Sequence, residues 1–147
     1  MRLSSKERTG LRAMVELARH YGRGPVSLRE VADAQDLPLP YLERIAATLR
    51  RSGLLESVRG AQGGYLLSRY PAHISVGDVF RAVEGSLMSL DCMRDDACCD
   101  REAVCATRNV WAGVSARLRE TLDGISLADI LHETGGATPT TGIGGDA

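Results

Sequence analysis

A chain of 147 residues with 44% hydrophobic and only 4% aromatic side chains has room for one domain, or a small domain with an appended element, and its core must come from Leu, Val, Ile and Ala, which suits helices. No apolar run is long enough to span a bilayer and Met1-Arg2-Leu3-Ser4 does not open a signal peptide, so no membrane partner and a cytoplasmic location are expected, where thiols stay reduced. The net charge of −1 hides an asymmetry, because residues 1–69 hold 12 Lys and Arg against 7 Asp and Glu, whereas residues 70–147 hold 6 against 12; the basic half suits a nucleic-acid contact.

In chain order, residues 5–22 place Leu11, Met14, Val15 and Ala18 at the i, i+3, i+4, i+7 spacing of an amphipathic helix, closed by Gly22 and Gly24-Pro25. "SLREVADAQ" starts the next helix, with Ser27 as N-cap, Glu30 completing a capping box, and Leu28, Val31 and Ala32 inward. After a short turn, residues 39–51 form a helix that buries Leu42, Ile45, Ala46 and Leu49. Glu43, Arg44, Ala47, Arg50 and Arg51 point the other way, and Gly53 stops it. Leu54–Val58 and Tyr65–Leu67 flank Arg59-Gly60-Ala61-Gln62-Gly63-Gly64, a β-hairpin with a glycine-rich, basic-edged tip.

Helix, helix, short turn, helix, hairpin is the order of a winged helix-turn-helix, in which the helix after the turn enters the major groove and the wing lies against the backbone or minor groove. Glycines would let the tip approach closely, and Arg59 suits a narrow, negative minor groove. The alternative for residues 1–69 is a small helical domain whose arginines are merely solvated. The expected fold is therefore mainly α with a small β-hairpin wing.

A second unit follows. Ser75 and Asp78 start a short helix that buries Val79, Phe80 and Val83. Residues 101–122 read as one long helix on which Val104, Trp111 and Leu118 repeat every seven residues, with Val114 and Leu122 widening the stripe. Little of the chain is left to cover such a stripe, so a second copy is the expected cover and the helix is read as a dimerisation helix. "SLADILHE" adds a capped helix from Ser126, and the Gly- and Thr-rich end reads as disordered. The expected division is a DNA-binding domain over 1–70, a linker helix, cysteine loop and dimerisation helix over 71–133, and a tail over 134–147.

All four cysteines fall in one short polar stretch, residues 92–105. Cys92, Cys98, Cys99 and Cys105 give C-x5-C-C-x5-C, without the paired knuckles of most zinc sites. Thiolates so spaced could wrap an iron–sulfur cluster, whose irons are spread over several ångströms; zinc or a thiol redox switch remain alternatives. His20, His73 and His132 are scattered through the sequence without catalytic partners, so an enzyme is not expected.

These residues together carry a resemblance. "MRLSSKERTGLRAMVELA", "GPVSLREVADAQDLPLPYLERI", "ISVGDVFRAVEG", "VWAGVSARL" and above all the wing "SVRGAQGGYLL" resemble the IscR-like iron–sulfur winged-helix transcription regulators, which include cluster-assembly, nitric-oxide-sensing and iron-sensing branches. The resemblance implies a homodimer that binds a double-stranded DNA operator, as a repressor or dual regulator, under the control of a 2Fe–2S or 4Fe–4S cluster. Iron supply, oxygen, nitric oxide or cluster demand would be the signal. It places Tyr41, Glu43 and Arg44 on the recognition helix and Arg59 in the wing, and with the basic face and helix start gives Ser27, Tyr41, Glu43, Arg44, Arg50, Arg51 and Arg59 as the DNA-binding set. It gives Cys92, Cys98 or Cys99, and Cys105 as cluster ligands. Arg108 stands where one branch has a histidine ligand and Arg8, beside Glu7, where another has an aspartate; arginine does not ligate iron. The fourth position would fall to the second of Cys98 and Cys99, to Glu7, Asp96 or Asp100, or to a small molecule on an open iron. A cluster-free regulator that senses oxidants through its thiols is the alternative function.

Overall fold

The computed structural model describes residues 3–85 and 105–135. Helix α1 (Ser5–Arg19) opens on a capping box between Ser4 and Glu7. The Ser4 hydroxyl accepts from the Glu7 N–H, and the Glu7 carboxylate accepts from the Ser4 N–H at 2.7 Å, satisfying two donors left over at a helix start. Ala13, Met14, Leu17 and Ala18 are buried, with Leu11 and Val15 half-buried beside them. The helix ends at Arg19 rather than residue 22, because His20 caps it and Gly22 and Gly24 turn the chain at φ 81° and 94°.

Helix α2 (Leu28–Gln35) starts at the Ser27–Glu30 capping box as expected and buries Val31 and Ala32. Asp36 ends it in the left-handed region at φ 50°, ψ 57°, which makes the turn short. Helix α3 (Leu39–Arg51) follows with Pro40 in its first turn, where no N–H is needed. Leu42, Ile45, Ala46 and Leu49 are all buried, as the periodicity requires.

Strands β1 (Leu55–Val58) and β2 (Gly64–Leu67) pair antiparallel with Leu55 opposite Leu67 and Val58 opposite Gly64. Tyr65 also exchanges backbone hydrogen bonds with Val26 at 3.0 and 2.8 Å, so the wing is stitched to the residue before the α2 cap. A short 3-10 turn over Pro71–His73 leads to α4 (Val76–Glu84), capped by Ser75 and Asp78 and burying Val79, Phe80 and Val83 as expected.

The core runs beyond residue 70. Ile74, Val79, Val83 and Leu127 belong to the same cluster as Met14, Val31, Leu42 and Leu49. Leu127 opens α6 (Leu127–Gly135), whose Ser126 cap pairs with Asp129. The α5–α6 junction is held to the start of α4 by two backbone bonds, Val76 N–H to Ile125 C=O at 2.8 Å and Leu127 N–H to Ile74 C=O at 2.9 Å.

Helix α5 (Arg108–Asp123) differs from expectation at its start. Cys105, Ala106 and Thr107 are not helical, and Cys105 C=O accepts from the Arg108 N–H in a turn. Residues 101–104, with the predicted Val104 of the stripe, lie outside the described residues. No α5 residue is buried; Trp111 and Val114 are each 43% exposed and Val110 60%, while Leu118 and Leu122 are half-buried. Helix α6 reaches Gly135, and the rest of the expected tail lies outside the described residues. Among the described residues no helix is long and apolar enough to cross a membrane. The fold is mainly helical with a two-stranded wing, a winged helix-turn-helix.

Candidate nucleic-acid interface

Burying Leu42, Ile45 and Leu49 turns the opposite side of α3 outward. Glu43, Arg44, Arg50 and Arg51 are all exposed, and Glu43 has no ion pair among the described residues. The Arg44 guanidinium lies over the Tyr41 ring, 5.7 Å from its centroid, a favourable contact of a cation with the negative face of the ring. The Tyr41 hydroxyl is itself 3.0 Å from Ser5 Oγ at the start of α1. Tyr41 and Arg44 are thus brought together and supported from a second helix.

Arg50 and Arg51 have local duties. Arg50 Nη1 donates to Ser57 Oγ at 3.2 Å, tying α3 to strand β1, and Arg51 Nη2 donates to Thr48 Oγ1 at 3.2 Å. Arg50 therefore links the helix to the first wing strand while leaving its charge at the surface. Arg59 is exposed at the start of the wing tip. Ser27 is committed to its cap: its hydroxyl accepts from the Glu30 N–H and donates to Glu30 Oε2 at 2.8 Å. What Ser27 contributes to this face is the start of α2.

The wing glycines serve the fold first. At Gly63 a Cβ would run into the Val58 carbonyl, and at Gly64 into the Val26 carbonyl, while Gly60 sits at φ 122°. The hairpin closes on itself and on Val26 only because these positions carry no side chain.

The cysteines are described only at their last member. Cys105 is exposed, with Sγ 3.3 Å from Thr107 Oγ1, and that hydrogen bond, aided by the Thr107 and Arg108 backbone, holds its thiol below the usual range. Cys92, Cys98 and Cys99, with Asp96 and Asp100, lie outside the described residues, and among the described residues no three His, Cys, Asp or Glu side chains cluster as metal ligands. Glu7 is buried with its carboxylate engaged by the Ser4 N–H, which leaves it poorly placed to ligate iron. Arg8 is exposed and Arg108 half-buried in the first turn of α5.

At its other end, α5 is clamped to α4. Arg81 Nη2 reaches Asp78 Oδ1 at 3.1 Å and Asp123 Oδ1 at 2.7 Å. The Asp123 bond first, with the second carboxylate, holds the guanidinium above its ordinary pKa against burial. Gly77 makes room for it, since a Cβ there would strike the Asp123 carboxylate. No spacing in the sequence pairs residues 81 and 123, so this clamp was not readable. A second polar knot joins α1 and α2. Glu16, buried, accepts from Gln35 Nε2 at 2.7 Å and Arg19 Nη1 at 2.9 Å, with His20 Nε2 at 3.4 Å. Burial raises the Glu16 pKa, but the Gln35 bond and the Arg19 charge, with His20, more than offset that and hold it low.

A profile of the Rrf2 family, described as "Iron-dependent Transcriptional regulator", matches residues 3–133. The chain is 40% identical over 131 residues to the HTH-type transcriptional regulator IscR of Sodalis glossinidius, covering 89% of this chain and 79% of that one. It is 37% identical over 136 residues to the HTH-type transcriptional regulator CymR of Bacillus subtilis, covering 92% and 94%. Among solved structures, IscR from T. potens superposes with a TM-score of 0.75 at 45% identity, covering 91% of this chain and 88% of that one. CymR of B. subtilis, the global cysteine regulator, superposes at 0.73 and 36% identity, covering 90% and 97%.

Proposed function

The chain belongs to the Rrf2 family of DNA-binding transcriptional regulators, and from that premise we propose that it is a homodimer whose operator binding is governed by an iron–sulfur cluster. The observation that carries the DNA-binding half is the exposed face of α3, where Arg44 is stacked on Tyr41 beside Glu43, with Arg50 tying that helix to the wing that bears Arg59. Arg44 would pair bidentately with a guanine and Glu43 accept from a cytosine. Arg50, Arg51 and Arg59 would supply phosphate or minor-groove contacts. The outward Val110, Trp111 and Val114 of α5 support pairing with a second copy, since an apolar stripe on an exposed helix wants cover.

The donor set fits a cluster. Cys92, Cys105 and one or both of Cys98 and Cys99 would hold it, soft thiolates being the ligands iron–sulfur clusters use, and Cys105 is exposed rather than packed in the core. When bound, a cluster would supply iron able to react with oxygen or nitric oxide. The chain's own part is mechanical. Helix α5 carries Cys105 just before its first turn and is clamped through Asp123 to Arg81 at the other end. A displacement of Cys105 is therefore delivered to α4, and through Val79 and Val83 to the core beneath α3. A cluster-free regulator acting by thiol oxidation is the competing reading, supported by the exposed Cys105 thiol that the Thr107 hydrogen bond holds below the usual range.

Iron and acid-labile sulfide per monomer, measured with the visible spectrum of anaerobically purified protein, separate the two. Brown protein with about two or four sulfides per monomer, lost in Cys92→Ser and Cys105→Ser, is expected for a 2Fe–2S or 4Fe–4S site. Colourless protein that takes up neither iron nor sulfide would leave the thiol reading.

A further inference from the structure

Three contacts in series join the last residue of α4 to the exposed face of α3. Glu84, half-buried at the end of α4, accepts through Oε1 from the Ser4 hydroxyl. Ser4 is the N-cap of α1, and the next residue, Ser5, meets the Tyr41 hydroxyl at 3.0 Å. The Tyr41 ring carries the Arg44 guanidinium at 5.7 Å from its centroid. Glu84 lies eight residues before Cys92 in the sequence, so the series starts where the chain leaves α4 for the cysteine segment. Its members come from α4, the α1 cap and α3, elements already packed together, so a shift of one is felt by the others.

We propose that Glu84, Ser4, Ser5 and Tyr41 are positioning residues that aim Arg44 at its base, so that base preference, more than affinity, depends on how the end of α4 sits. A free arginine side chain must be ordered before it can pair with a base edge, and that ordering weakens binding. Here the ring of Tyr41 does the ordering in advance. The ring is pinned by its hydroxyl to Ser5, and the Ser4 cap next to Ser5 is pinned to Glu84. Phosphate contacts from Arg51 or Arg59 need no such aim, because they carry no sequence information. The inference rests on α3 being the helix that reads bases.

The test uses the full-length protein and a duplex that the wild type enriches from a random-sequence pool. Affinities are compared with those for single-base substitutions of that duplex, and the ratio is the readout. Arg44→Ala should abolish the preference at one base pair, a change of roughly tenfold or more for a bidentate pair. Tyr41→Phe, which removes one oxygen and keeps the ring, should lower that same ratio by about threefold to tenfold, the worth of one hydrogen bond. Its Tm should move by less than about 5 °C.

Glu84→Ala should lower the same ratio without altering preference elsewhere, and its effect should not add to that of Tyr41→Phe. Glu84→Gln, which keeps an oxygen to accept from Ser4, should restore the wild-type ratio. If Glu84→Ala fails to fold, Ser4→Asp stands in, since it still caps α1 but cannot donate to Glu84. Loss of preference in Arg44→Ala with unchanged ratios in Tyr41→Phe and Glu84→Ala would overturn the positioning role and leave α3 as the reading helix. Unchanged preference in Arg44→Ala would overturn the positioning role together with Arg44's own part in base readout.

Discussion

At Gly64 the wing strand lies against the Val26 carbonyl with no room for a Cβ. Gly64→Ala should therefore cost about 2 kcal/mol or more, as backbone that must move usually does, visible as a fall in Tm and in DNA affinity together. Asp36 is the other backbone-limited position, at φ 50° between α2 and α3. Asp36→Val should cost about 1–2 kcal/mol, because a β-branched residue resists the left-handed region, whereas Asp36→Gly should be tolerated. Glu16 predicts a pH dependence. Its carboxyl is held below the ordinary range in the folded chain, so its contribution is present above the unfolded glutamate pKa and lost as pH falls through the lower folded value. Urea midpoints taken from neutral to acid pH should fall less steeply in Glu16→Gln. The capping serines 27, 75 and 126 were legible in the sequence because a cap is a local pattern. Glu16 with Gln35, and Ser4 with Glu84, were not, because nothing local marks a side-chain pair formed by packing.

Helix α3 shows how far element-scale reading reaches. Its bounds and its four buried residues follow from a 3.6-residue apolar repeat between a proline turn and a glycine stop, and these leave only one face for Arg44 and Arg51. The wing was equally legible, although its glycines proved to serve the hairpin's own closure. The start of α5 was misjudged because a heptad apolar pattern does not register that Cys105 and Thr107 bond each other in a turn ahead of Arg108. Of the expected stripe, Trp111 and Val114 are exposed and Leu118 and Leu122 half-buried, with Val104 outside the described residues, and that exposure makes a prediction. Trp111→Glu should convert a dimer to a monomer in sedimentation and weaken operator binding by at least tenfold, since two linked heads bind more tightly than one. The far-UV circular dichroism should stay unchanged. Arg51→Ala, in contrast, should lower the slope of log affinity against log salt by about one if Arg51 neutralises a phosphate.

Over the whole molecule, the basic residues 1–69 hold α1 to β2, and the acidic residues 70–147 hold α4, the cysteines, α5 and α6. One core spans both, through Ile74, Val79, Val83 and Leu127, so α4 and the start of α6 share a core with α3. The fold order and the cysteine spacing were readable along the chain; the Arg81–Asp123 clamp between α4 and α5 was not, since its partners lie 42 residues apart. The most direct measurement is operator affinity, by fluorescence anisotropy under anaerobic conditions, of one preparation before and after its iron is removed with a chelator. A change of at least about tenfold, or about 1.4 kcal/mol, at the selected operator is predicted. Equal affinity and equal base preference in the iron-loaded and iron-free forms would contradict control by a cluster.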